Sequence, residues 1–168
     1  MKPTLLSFCL ITFAAALAAE GAQAAGHTIQ HAGDKPSVVG SATMFTGKVR
    51  QDSVARADEF STSGITYVTF EPGARTLWHT HPAGQRLLIV SGKGLVGTAD
   101  GRTDVVRAGD YVWCPPDVSH WHGATPDTAM VHIALTNSKN GKTVHWQKPV
   151  TDEEYAELAA KAVDPIKK

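Results

Sequence analysis

The chain has almost no cysteine. It contains two, Cys9 and Cys114. Cys9 lies in an N-terminal apolar stretch, so Cys114 is left alone and no intrachain disulfide can staple the fold. Beside Pro115 and Pro116, that thiol reads as a small buried apolar group. An excess of one charge is also lacking, since 16 Lys and Arg balance 16 Asp and Glu and neither sign forms a block. This argues against nucleic acid or an anionic membrane surface as the main partner. Internal repeats, low-complexity tracts and a second domain are absent. The alternation of strand and helix patterns expected of a βαβ protein is missing too.

What is present falls into three parts. Residues 1–24 carry an early positive charge at Lys2, an apolar run over residues 5–19, and the small-x-small pattern of Ala22, Gln23 and Ala24. The run is too short for a permanent transmembrane anchor, and the pattern is that of a secretory signal peptide. The mature protein is therefore expected to be secreted or periplasmic, with no membrane attachment. Residues 25–150 have the size of one domain. Residues 151–168 are expected to be a helix and tail.

The middle part reads as short strands bounded by Gly, Pro and Asp. One or two are expected around Val38 and Phe45. Residues 65–70 are β-branched and aromatic and end at Glu71, Pro72 and Gly73. Residues 87–90 form a buried strand that stops at Ser91-Gly92-Lys93-Gly94, and residues 95–97 begin another. Asp100-Gly101 favours a tight hairpin. Residues 105–106, 111–113, 130–135 and 143–146 complete the set, and Pro115-Pro116-Asp117 forces a turn before His120. The pattern predicts an all-β, single-domain sandwich or barrel. One helix is expected at the end: Thr151 to Glu154 make a capping box, Tyr155, Leu158, Ala159 and Ala162 share a face, and Pro165 stops it.

Histidine is the unusual residue. All eight follow the apolar leader, and four form two His-x-His pairs. Residues two apart on a strand share a face, so His79 and His81 project together, as do His120 and His122. Two such strands facing one interior can gather imidazoles around a single divalent ion. Gln85 follows closely, with Pro82 and Gly84 to turn the chain, so its amide oxygen can return to the same point. Trp78 and Trp121 alternate with these histidines and point the other way, where something must cover them. His132 shares the inward parity of Met130 and Ala134. Arg75 and Arg86 read as solvated surface.

The spacing of these residues resembles the two sequence motifs of the cupins. Gly73, His79, His81 and Gly92 fall on the first motif, with Gln85 at the position of its glutamate. Gly109, Pro115 and His120 fall on the second, with Asp117 and Ala124 in place of a glycine and an asparagine. The stretches FTGKVR, TFEPGARTLWHTHPAGQ, HWHGATPDTAM and VTDEEY extend the likeness across residues 44–155, to small bacterial cupins of the hydroxynitrile lyase type. The resemblance implies a double-stranded β-helix (jelly-roll) barrel with a short C-terminal helix. It also implies one divalent transition metal per chain, Mn(II) ahead of Fe(II) or Zn(II), held by His79, His81, Gln85 and His120. His122 and His132 are then catalytic histidines that do not bind it.

The expected function is a metal-dependent lyase for a small α-hydroxy compound, with cyanohydrin cleavage to aldehyde and cyanide as the specific form. A dioxygenase-type oxidoreductase using Fe(II), or a non-catalytic cupin that binds a small molecule, are the alternatives. The expected partners are a small-molecule substrate and a second copy of the chain, in a homodimer or larger assembly.

Overall fold

The computed structural model describes residues 26–166; the signal-peptide reading of residues 1–24 lies outside them. The described elements are β1 (Val38–Val39), β2 (Phe45–Thr46), β3 (Val49–Ala55), β4 (Ser63–Phe70), β5 (Arg75–Thr76), β6 (His79–Thr80), β7 (Gln85–Thr98), β8 (Thr103–Arg107), β9 (Tyr111–Cys114), β10 (His120–Ala124), β11 (Met130–Asn137), β12 (His145–Trp146) and α1 (Asp152–Lys161). Every ladder between strands is antiparallel, and the strands form a barrel of two facing sheets. The first runs β1-β3-β4-β11 and continues through the front half of β7 to β9. The second contains β2, β5, β10, the back half of β7 and β8, with β6 and β12 at its end.

β7 belongs to both sheets. The glycines after Val90 were expected to end one strand and let another begin, but the chain runs through as a single strand of 14 residues. Gly92 carries it across with φ +77°, a conformation that L side chains avoid. A Cβ there would lie 1.9 Å from the Ala129 carbonyl, so no side chain fits. The ladder with β11 shifts register just beside it, between Val131 and His132. Such a bulge bends a strand without breaking it.

The two halves of β7 also differ in burial. In front, buried Leu87 and Ile89 alternate with exposed Leu88 and Val90, while in the back half Leu95 and Val96 are both buried. Between the sheets lies the main core, with Phe70, Leu87, Ile89, Val96 and Met130. A second cluster of Trp78, Leu95, Val105, Trp121, Val150 and Tyr155 lies outside the second sheet. The cover that Trp78 and Trp121 require comes from α1 and the segment before it. Thr151 caps this helix by accepting from the Glu154 N–H at 3.1 Å. The Glu154 carboxylate accepts from the Trp78 indole at 3.2 Å, which ties the cap to the sheet below.

Arg75 is not solvated surface, because it is only 3% exposed. Its guanidinium donates to the Val150 carbonyl and to Asp152, lies 4.6 Å from the centre of the Tyr155 ring and so bolts α1 to β5. Arg86 does remain exposed, stacked over Trp113. Cys114 is buried, and burial pushes its thiol up to about 12, as expected for an inert apolar role. Among the described residues no helix is long and apolar enough to cross a membrane.

Candidate metal centre

The two His-x-His pairs meet inside the barrel. His79 and His120 face each other directly in the β6–β10 ladder, with ring centres 4.3 Å apart. The ring of His81 lies 4.9 Å from His79 and 5.4 Å from His120. His122, two residues along β10, turns to the same face, 5.3 Å from His79. All four side chains are buried. The turn that delivers β10 depends on Asp117, whose φ of +61° suits the glycine it replaces. Asp tolerates that region better than most residues. The Asp117 N–H donates to the His81 carbonyl at 3.0 Å, which joins the two histidine segments.

Side-chain hydrogen bonds divide these imidazoles into two kinds. The Nδ1 of His79 meets the Leu77 carbonyl at 2.9 Å, that of His81 meets Thr143 at 2.7 Å, and that of His120 meets Val118 at 2.9 Å. A carbonyl only accepts, so each Nδ1 carries the proton and each Nε2 keeps its lone pair. Backbone carbonyls are the partners that orient metal-binding imidazoles. The Nε2 atoms of His81 and His120 are buried with no hydrogen-bond partner, and so is the Gln85 Oε1, whose amide nitrogen donates to Thr136 Oγ1 at 3.0 Å. Buried acceptors without partners are costly, and a cation at their meeting point satisfies them together. The residues present thus fit a metal, with three imidazole nitrogens and one amide oxygen able to hold it.

By distance alone, the ring nitrogens that lie within 4.8 Å of one another are those of His79, His120 and His122, a group that leaves out His81. The hydrogen bonds separate His122 from the others. Its Nδ1 meets no carbonyl but the Nε2 of His132, at 3.2 Å. One of these two nitrogens must donate and the other accept, and either choice leaves His122 Nε2 and His132 Nδ1 unpartnered. The two rings thus form a pair that can pass a proton between them.

Burial keeps the cluster uncharged. It lowers His120 to about 4 and His132 to about 3, and it holds His79 and His122 well below the usual imidazole range. His81 is also lowered by burial, against the opposing effect of the Thr143 carbonyl. Neutral imidazoles are what a metal requires.

The cluster opens into a cavity of about 300 Å³, near the lower end of small-molecule sites. Phe45, Met44, Val144 and Trp146 form an apolar wall, and Gln51, Thr66, Thr136 and Thr143 supply neutral polar groups. Among the described residues no Asp, Glu, Lys or Arg lines it. Sequence reasoning missed these wall residues. For Thr136 a signal was available, since it shares the inward parity of His132 and Ala134 on β11. Trp146, 4.8 Å from the His79 ring, lies opposite His79 in the β12–β6 ladder, and nothing local marks it.

Comparison with known proteins bears on the family and the fold. Residues 66–136 match the cupin domain family. The chain is 45% identical over 127 residues to a protein named (R)-mandelonitrile lyase from Granulicella tundricola, covering 76% of this chain and 97% of that one. A cupin-like protein of Thermotoga maritima superposes with a TM-score of 0.69 at 38% identity, over 73% of this chain and 93% of that one. A cupin-2 domain of Rhodospirillum rubrum shares the fold at 18% identity with a TM-score of 0.59, over 81% and 88% of the two chains.

Proposed function

The chain belongs to the cupin family, and on that footing we propose that it is a metal-dependent lyase that cleaves a small, neutral cyanohydrin into an aldehyde and hydrogen cyanide. One observation carries the reading. Buried, unpartnered neutral acceptors of His81, His120 and Gln85, with the His79 ring 4.3 Å from that of His120, lie beside a hydrogen-bonded histidine pair, His122 and His132, at a cavity that no charged side chain lines among the described residues. The relative named mandelonitrile lyase supports the same substrate class. Manganese(II) is our expectation for the ion, on the resemblance to cupins of that type.

A divalent cation held by His79, His81, His120 and Gln85 keeps its full charge, because none of these donors is anionic, and so favours an oxyanion or cyanide beside it. The protein's own groups do the rest. His122 is nearest the centre, and its uncharged ring can take the proton from the substrate hydroxyl. As the carbonyl forms, the bond to the nitrile carbon breaks and its electron pair leaves with cyanide. The proton taken up at the free Nε2 of His122 then passes to cyanide, while the His122–His132 hydrogen bond spreads the transient positive charge over both rings, so the reaction needs no other proton source. Phe45 and Trp146 offer aromatic faces to the substrate's side chain. The absence of a lining cation leaves a carboxylate substrate no side-chain partner, which favours a neutral one.

The test uses mandelonitrile, with aldehyde absorbance followed over time for Mn(II)-loaded and chelator-treated protein. Loaded protein should turn over well above background, and His122→Ala should slow it by about a hundredfold, within the range for losing a general base, while metal content stays unchanged. Equal rates with and without metal would refute the lyase reading. Oxygen uptake by Fe(II)-loaded protein would put an oxidoreductase in its place.

A further inference from the structure

We infer that Thr136 is a positioning residue that holds the Gln85 amide ready to act as a metal ligand. The inference rests on the reading of Gln85 as a ligand. Gln85 opens β7 and Thr136 lies near the end of β11, directly opposite it in the ladder. The amide nitrogen donates to Thr136 Oγ1 at 3.0 Å, while the amide oxygen is buried and has no partner.

An amide is nearly symmetric in shape but not in chemistry. Its oxygen has lone pairs for a cation, whereas its nitrogen presents only hydrogens. Its terminal torsion is soft, so packing alone does not choose between the two ends. The choice matters here because the unpartnered Nε2 of His81 is nearby. An amide turned around would donate to that lone pair and remove two ligand atoms at once. An amide anchored through its nitrogen on Thr136 instead presents its oxygen. The anchor also meets a need that a glutamate in this position would not have, since the buried NH2 group requires an acceptor. β11 carries His132 four residues earlier on the same inward face, so one strand carries both the anchor and a member of the histidine pair.

A position-dependent role must vanish when Gln85 is gone, and that decides the experiment. The affinity of the purified full chain for Mn(II) alone is measured by competition with a chelator, for Thr136→Val, Thr136→Ser, Gln85→Ala and the Gln85→Ala/Thr136→Val double variant. Thermal unfolding of each metal-free protein checks that it is folded. Thr136→Val keeps the shape and removes the acceptor, and should weaken binding about ten- to a hundredfold, as for other groups that orient a ligand. Thr136→Ser should stay near the parent. In the Gln85→Ala background the valine should cost nothing further. An unchanged affinity in Thr136→Val, or an equal loss with and without Gln85, would overturn the inference. Should Gln85→Ala itself bind Mn(II) as tightly as the parent, the reading of Gln85 as a ligand falls, and the role of Thr136 falls with it.

Discussion

His132 should make the metal-free protein acid-labile, and by an amount that can be worked out. Its side chain is completely buried, between Phe70 at 5.4 Å and His122 at 4.8 Å between ring centres. Burial lowers it from 6.5 to about 3. Below about pH 6.5 the unfolded chain therefore binds a proton that the folded chain refuses. The stability associated with the neutral ring is fully present above that pH and is lost as pH falls towards 3. Each pKa unit corresponds to about 1.4 kcal/mol, so the whole window is on the order of 5 kcal/mol. That is comparable to the net stability of a small domain. The assay is urea unfolding of chelator-treated protein at several pH values, for the parent and for His132→Leu. Removing the imidazole removes one proton from the linkage. The stability difference between the two should thus move in favour of the variant by about 2 kcal/mol from pH 6.5 to pH 4.5. The comparison cancels the buried histidines that His132 does not touch; His122, hydrogen-bonded to it, is relieved of part of its own lowering in the variant, which moves the difference in the same direction. A stability difference independent of pH across that window would refute the reasoning.

Two further outcomes follow from the backbone and the surface. Gly92→Ala combines a φ of +77° with a Cβ 1.9 Å from a carbonyl oxygen; it should cost at least about 2 kcal/mol in denaturant unfolding, whereas Gly101→Ala, with open space around it, should cost less. On the outer side of the first sheet, Tyr67, Ile133, Leu88 and Tyr111 lie in register across four strands, and the last two are 43% and 60% exposed. A homodimer through this face is expected; sedimentation should give twice the chain mass, and Leu88→Lys should shift it towards monomer.

That the two His-x-His pairs share one interior was legible because their chemistry and their period agree. A His-x-His pair on a strand has to present both rings to one side, and two such pairs in one small barrel have few ways to avoid each other. The departures from the cupin motifs were legible too. Asp117 stands for glycine because aspartate accepts the positive φ, and Ala124 fills a fully buried position. What stayed hidden depends on distant partners. Arg75 becomes a buried anchor only through Val150 and Asp152, far along the chain. Continuity of β7 through Gly92 depends on Ala129 and Met130 lying against it. β3 escaped notice because its polar residues look like loop, yet Gln51 faces the cavity and needs no apolar character.

The position of the centre in the barrel explains why its parts can differ in stiffness. His79 and His120 belong to the second sheet, which is buried on both sides by the core and by the layer under α1. Trp121, between the two histidines of β10, packs 5.7 Å from the Tyr155 ring, and Tyr155 in turn donates to the Ala124 carbonyl at 2.7 Å. The strand carrying His120 and His122 is thus fixed from behind by a helix that never reaches the cavity. Gln85, His132 and Thr136 come from the first sheet, whose outer face has no such helical layer among the described residues. A site assembled across the gap between two sheets is only as well defined as the contact between them. Here that contact is β7, one strand common to both, bent at the only kind of residue that can occupy the bend. The glycine is therefore as much a part of the centre's geometry as the side chains that line it.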